Sequence, residues 1–167
     1  QAAQVLRKDA EEERKAQIER DIGALVHASE HGDVGVLEAF ESAYTPVLDG
    51  MLATLSRLGI SYDTFTKESR FVVDGTVAEL MQTLDALEIA GTADNGAGFL
   101  DLGQRGLKGK TEFFYRRGDG SSLYATRDVA YHMWKWGESN RLVNVLGEDH
   151  KLQAKQVGLT LEELDQQ

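Results

Sequence analysis

The chain has 167 residues, no cysteine, 41% hydrophobic residues and a formal net charge of −10, the makeup of one ordinary globular domain or two small lobes. Disulfides, thiolate metal sites and a cysteine nucleophile are excluded, and no apolar run approaches the ~20 residues of a membrane-spanning helix. The acidic balance disfavours broad contact with a polyphosphate backbone, and the whole suits a cytoplasmic protein with no membrane partner.

The start, Gln1-Ala2-Ala3 followed by a dense charged run, carries neither an apolar signal block nor an initiator Met, as expected of a stretch of a longer protein. Residues 2 to 31 are rich in helix formers, with a sparse apolar stripe at Val5, Ile18, Ile22, Leu25 and Val26, and predict a long helix ending near Gly32. His27 and His31 lie four apart on it, the spacing of a shared metal; without a third ligand they read as helix-end histidines.

Residues 33 to 59 carry a fuller stripe, from Val36, Leu37 and Phe40 to Leu55 and Leu58, stopped by Gly59. Pro46 predicts a kink or a break within it. A helical hairpin is therefore expected over 1–59.

From Ile60 the texture changes. Ser61–Phe65 and Arg70–Val73 are short and β-leaning, and Asp74-Gly75-Thr76 opens a helix with Val77, Leu80, Met81, Leu84 and Leu87 on one face. Further β-leaning runs follow at Phe99–Leu102, Glu112–Arg116 and Leu123–Thr126. Turns at Asn95-Gly96, Lys108-Gly109-Lys110 and Gly118-Asp119-Gly120 separate them. These runs predict a small, partly antiparallel sheet over 60–117.

Residues 118–167 read as strand, helix, strand, helix. Thr126 is expected to cap a helix reaching Trp136, Arg141–Gly147 to form a buried strand, and His150 to begin another helix. That order predicts a parallel crossover unit of a nucleotide-binding α/β fold, with ligands beyond the carboxyl end of the strand. No phosphate-cradling loop, dinucleotide fingerprint or serine nucleophile elbow is present.

Two segments carry chemistry. Tyr124 and Asp128 stand at the rim of a strand-to-helix junction, and a carboxylate beside a hydroxyl-bearing aromatic suits a guanidinium ligand. Gly147-Glu148-Asp149-His150 ends the predicted strand in two carboxylates and a histidine, where Gly147 lets a flat ligand approach the backbone. Helix-dipole and capping roles for Asp128 and Asp149 are the plainer alternatives.

Together, Tyr124-Ala125-Thr126-Arg127-Asp128 with Tyr131-His132, and Asn144-Val145-Leu146-Gly147-Glu148-Asp149-His150-Lys151-Leu152, resemble the arginyl-tRNA synthetases in their archaeal-like branch. Leu58–Asp63, Glu68-Ser69 and Asp101-Leu102 are similar to that family's connecting insertion, so the resemblance spans about Val34 to Gln156. It implies an α/β fold: part of a Rossmann-like, class I synthetase nucleotide-binding fold, with an inserted helical and small-sheet region. It also implies an enzyme that activates arginine with ATP and Mg2+ and transfers it to tRNA(Arg).

By the same resemblance Tyr124, Asp128 and His150 bind arginine, with Asp128 on the guanidinium. Gly147 and Asp149 lie near the ATP or adenylate, and no residue here is catalytic or holds a metal. Many members have Gln where this chain has His150. The family's His-x-Gly-His and Lys-Met-Ser-Lys-Ser-like signatures, and its RNA-gripping domains, are absent here. This stretch alone is therefore expected to be inactive, with tRNA held mainly elsewhere. A stand-alone arginine-binding or protein-interaction module, and a purely structural insertion, are the competing readings.

Overall fold

The computed structural model describes residues 2–165, with side chains described from residue 11; Gln1 and the side chain of Val5 lie outside the described residues. The chain divides into two compact units, residues 1–66 and 67–167. Among the described helices none is long and apolar enough to cross a membrane.

The first unit contains helices α1 (Ala2–Glu30) and α2 (Val34–Arg57). Gly32, at φ 76, takes the left-handed conformation that turns the chain between them. Asp33 then caps α2 by accepting from the Val36 amide at 3.0 Å. Pro46 lies inside α2, which continues as one helix to Arg57; the expected break does not occur. Gly59 and Ile60 donate back to Ser56 and Leu55, ending the helix at the glycine as the sequence predicts. No residue of α2 is fully buried, so its apolar stripe at Phe40, Tyr44, Val47 and Met51 stays exposed.

The second unit holds the core. It runs α3 (Ser69–Val73), α4 (Thr76–Asp85), β1 (Ala90–Thr92), β2 (Gly98–Asp101), a 3-10 turn, β3 (Glu112–Arg116), α5 (Tyr124–Glu138), a second 3-10 turn and α6 (Lys151–Asp165). The strands form one antiparallel sheet in the order β1-β2-β3. Ala90 lies opposite Leu100, and Leu100 opposite Phe113. Alternation puts Phe113 and Tyr115 inside, against Leu80, Leu84 and Val129, while Glu112 and Phe114 face out.

Several local expectations change here. Arg70–Val73 is helical because Phe71 is drawn into the core, outweighing the β preference of Val72-Val73. Ser61–Phe65 adopts no strand. Leu123–Thr126 contributes no strand either: only Arg116 and Ser122 form a bridge, and α5 already begins at Tyr124. Leu123 is its capping position, so Thr126 lies within the first turn and its hydroxyl donates to the Tyr115 carbonyl.

The largest departure is at 141–147. These residues form no strand, and Val143 and Val145 are 75% and 94% exposed. A strand requires a hydrogen-bonding neighbour, and among the described residues none lies beside this segment.

Two pairings lock the unit. Tyr115 donates its hydroxyl to Asp85 Oδ1 at 2.6 Å, and Arg116 reaches the same oxygen at 3.0 Å. Burial pushes the Asp85 carboxyl up, but these two bonds outweigh it and hold it below its usual range. Arg105 grips buried Glu163 through one guanidinium edge, Nε and Nη2 donating to the two carboxylate oxygens, with Nη2 to Oε2 at 2.8 Å, and ties the 3-10 turn Leu102–Arg105 to α6.

Gly118 packs where a Cβ would stand 2.1 Å from the Asn95 carbonyl oxygen, whereas a Cβ on Gly137 would meet nothing within 4 Å. Gly118→Ala is expected to destabilise the fold by about 1–3 kcal/mol. Gly137→Ala, in α5, should be neutral or stabilising by a few tenths of a kcal/mol, in the direction of helix propensity. Thermal unfolding of the two variants checks this ordering.

Candidate functional site

α5 presents Tyr124 in its first turn and Asp128 one turn later, so both side chains fall on one face of the helix. α6 faces that surface with Gln153. The Tyr124 hydroxyl donates to Gln153 Oε1, and Gln153 Nε2 donates to Asp128 Oδ2 at 3.0 Å. The other oxygen, Oδ1, lies 3.2 Å from His132 Nδ1, whose N–H also reaches the Asp128 backbone carbonyl at 2.8 Å. Lys135 Nζ stands 3.3 Å from His132 Nε2, donates to Asn144 Oδ1 at 2.8 Å and lies 4.4 Å from the Tyr131 ring centre.

Two clefts open on this surface. A cleft of about 190 Å³ is lined by Glu68, Tyr124, Asp128, Leu146, His150, Gln153 and Ala154. A second, of about 380 Å³, runs past His132, Lys135, Asn144 and Val157. Asp128, Leu146 and Ala154 belong to both. The Asp128 carboxylate thus stands in the wall between the clefts, each oxygen with a different partner.

Burial raises the Asp128 carboxyl, but bonding to His132, then Gln153, and the charge of Lys135 outweigh it, and the group is held below the usual carboxylate range. The Asp128 carboxylate in turn raises the His132 imidazole above its ordinary value, against burial and the nearby Lys135 ammonium. Burial lowers Lys135 itself. Desolvation pushes the Glu68 carboxyl up, Arg127 opposing and Asp128 adding to the rise. At neutral pH the site therefore offers an ionised, half-buried carboxylate beside a phenol and a carboxamide. Of these, the carboxylate and the phenol suit a planar cationic donor such as a guanidinium.

Of the residues singled out in the sequence, Tyr124, Asp128 and His150 share the smaller cleft. Gly147 and Asp149 line neither cleft; the Asp149 side chain is 83% exposed and 3.7 Å from His150. His27 and His31 stack at 4.0 Å in the other unit, with His31 Nδ1 donating to the His27 carbonyl. Among the described residues no group of three or more His, Asp or Glu is placed to hold a metal ion. Gln153 and Glu68 were not singled out as site residues: each reaches the cleft through tertiary approach, which no local pattern announces. His132 could have been found as a partner by its i+4 spacing from Asp128.

His132 is raised, so its contribution to stability is complete below the ordinary imidazole value and fades as pH climbs through the raised one. Asp128 is lowered, so its contribution is present above the ordinary carboxylate value and is lost as pH falls through the lowered one. The pair is most stabilising between roughly pH 4 and pH 6.5. Asp128→Asn should lower the His132 pKa, read by NMR titration of the ring protons; an unchanged or raised value would contradict the pairing.

No family model matches the chain. The arginine–tRNA ligase of Methanocella arvoryzae is 40% identical over 144 residues, 86% of this chain and 25% of that protein. The arginine–tRNA ligase of Methanosarcina barkeri is 36% identical over 156 residues, 93% of this chain and 27% of its own length. That of Halorubrum lacusprofundi is 38% identical over 154 residues, covering 92% and 25%. The chain thus spans about a quarter of the length of the curated relatives it matches. A Campylobacter jejuni crystal structure, provisionally assigned as an arginyl-tRNA synthetase, shares the fold with a TM-score of 0.64 over 78% of this chain and 28% of that one, at 18% identity.

Proposed function

This chain belongs to the arginine–tRNA ligase family, over about a quarter of its relatives' length, and we propose that it is part of such an enzyme and supplies part of its arginine pocket. The observation that carries the reading is the ionised Asp128 carboxylate, one helical turn from the Tyr124 hydroxyl, at a shared cleft. In this reading Asp128 accepts parallel N–H bonds from the substrate guanidinium, and Tyr124 contacts its stem or edge. His150, at the opposite lip of the same cleft, offers a polar contact to arginine. Gly147 and Asp149 face the adenylate.

The parent reaction joins arginine to ATP as arginyl-adenylate, then passes the arginyl group to the 3′ end of tRNA(Arg). The residues present here bind and orient one substrate. Mg2+ accompanies ATP, and no side chain of this chain is assigned to it. The net charge of −10 fits an RNA grip located elsewhere in the enzyme.

Residues 118–167 are read as the second-half crossover unit of a Rossmann-like catalytic fold, with 1–59 and 60–117 as connecting insertion. The exposed Val143, Val145 and Leu146 then take their places beside strands contributed by the rest of the enzyme. A purely structural role for Asp128 is disfavoured, because its carboxylate lines both clefts and is not sealed in a core.

In an arginine–tRNA ligase containing this segment, Asp128→Ala is expected to raise the arginine KM by about 30-fold or more, or to abolish activity, because it removes one partner of a half-buried charge pair. Tyr124→Phe should cost about 3- to 10-fold, the worth of one hydrogen bond. Steady-state aminoacylation at varied arginine decides it; an unchanged arginine dependence of Asp128→Ala would sink the pocket.

A further inference from the structure

The Gln153 carboxamide lies between the two groups assigned to the ligand, and both of its ends are used. Its oxygen accepts from the Tyr124 hydroxyl, and its nitrogen donates to Asp128 Oδ2 at 3.0 Å. With Oδ1 engaged by His132, a guanidinium that approaches both carboxylate oxygens finds the Oδ2 side occupied by an amide N–H. An amide is a planar N–H donor like one arm of a guanidinium, but it is neutral. It is carried by the third residue of α6, on a flexible side chain whose helical neighbours Leu152 and Ala154 are exposed.

We propose that Gln153 is a displaceable placeholder: it closes over Tyr124 and Asp128 when the pocket is empty and swings away when a guanidinium enters. The proposal rests on the arginine-pocket reading above. While the seat is vacant, the amide satisfies the half-buried carboxylate and the phenol together, and so avoids the penalty of leaving them unpaired. On entry, arginine exchanges one neutral donor for a charged one with parallel N–H groups, and the exchange runs toward the cation. Citrulline, whose ureido group is neutral, exchanges one amide-like donor for another and gains little.

Competition of this kind has a signature that a ligand contact lacks. A site that is open only part of the time binds every displacing ligand more weakly, by the fraction open. Removing the placeholder therefore tightens all such ligands by one common factor, whereas removing a contact weakens them.

The test is calorimetric titration of an arginine–tRNA ligase containing this segment with L-arginine and L-citrulline, in wild type, Gln153→Ala and Asp128→Ala. Gln153→Ala should bind arginine about tenfold more tightly, as for a seat closed about nine times in ten, with citrulline tightened by the same factor. An affinity equal to or weaker than wild type, in a variant whose arginine signal still needs Asp128, overturns the placeholder and leaves the pocket standing. An arginine affinity unchanged by Asp128→Ala overturns the pocket and the placeholder with it. A second measurement avoids substitution altogether. In the wild-type enzyme the Gln153 side-chain amide resonances should move toward free-amide positions at saturating arginine, and resonances that keep their bound positions overturn the proposal.

Discussion

One backbone oxygen anchors this site: the carbonyl of Tyr115, which accepts the Leu123 amide at 3.0 Å and the Thr126 hydroxyl as well. Thr126 and Tyr115 are fully buried, so the Thr126 hydroxyl has no water to fall back on, and leaving its bond unmade would cost about 1–3 kcal/mol. The two bonds fix the end of β3 to the first turn of α5. Tyr124 lies between the two donors, and Asp128 follows one turn on. The Tyr115 side chain extends the same anchor to α4 through Asp85, where burial and the acceptor carboxylate push its phenol far up. Sheet, α4 and α5 therefore share one residue, and the direction in which the site faces is inherited from it.

The electrostatics of the cleft follow from how one carboxylate is divided. Asp128 gives one oxygen to the His132 imidazole and the other to a neutral amide. The His132 bond, with the Gln153 bond and the charge of Lys135, holds the carboxyl low despite partial burial. Lys135 stands behind His132 and donates to its Nε2 only in the neutral imidazole. Protonation of His132 thus sets one cation beside another, which is why Lys135 opposes the rise that Asp128 causes. Glu68 across the cleft adds a carboxyl that burial already disfavours as a charge.

What was legible in the sequence was set by local chemistry. Gly32 and Gly59 marked helix ends because only glycine takes the left-handed turn freely. β2 and β3 were visible because alternation survives in Gly98–Asp101 and Glu112–Arg116, and Tyr124 and Asp128 were visible as a pair at one rim, though expected at a strand-to-helix junction where the structure has both on α5. The rest was decided at a distance. β1 is only Ala-Gly-Thr, too short and too bland to signal a strand. Phe71 made a helix of a β-leaning run because the core claimed it, and Arg141–Gly147 carried a strand pattern without a strand to pair with. Gln153 entered the site because α6 packs against α5, a fact written in Val157 and Val129 and not in its own neighbourhood.

The Arg105–Glu163 fork clamps α6 close to its C-terminal end, where Val157, Thr160 and Glu163 are buried, while its first turn at Lys151 and Leu152 is exposed. The helix is held unequally: a buried fork near its C-terminal end, and two exchangeable side-chain bonds from Gln153 near its start. Fraying of a helix begins at its exposed end, so opening the mouth of the cleft draws on the weaker of the two attachments while the fork keeps the rest of α6 in place.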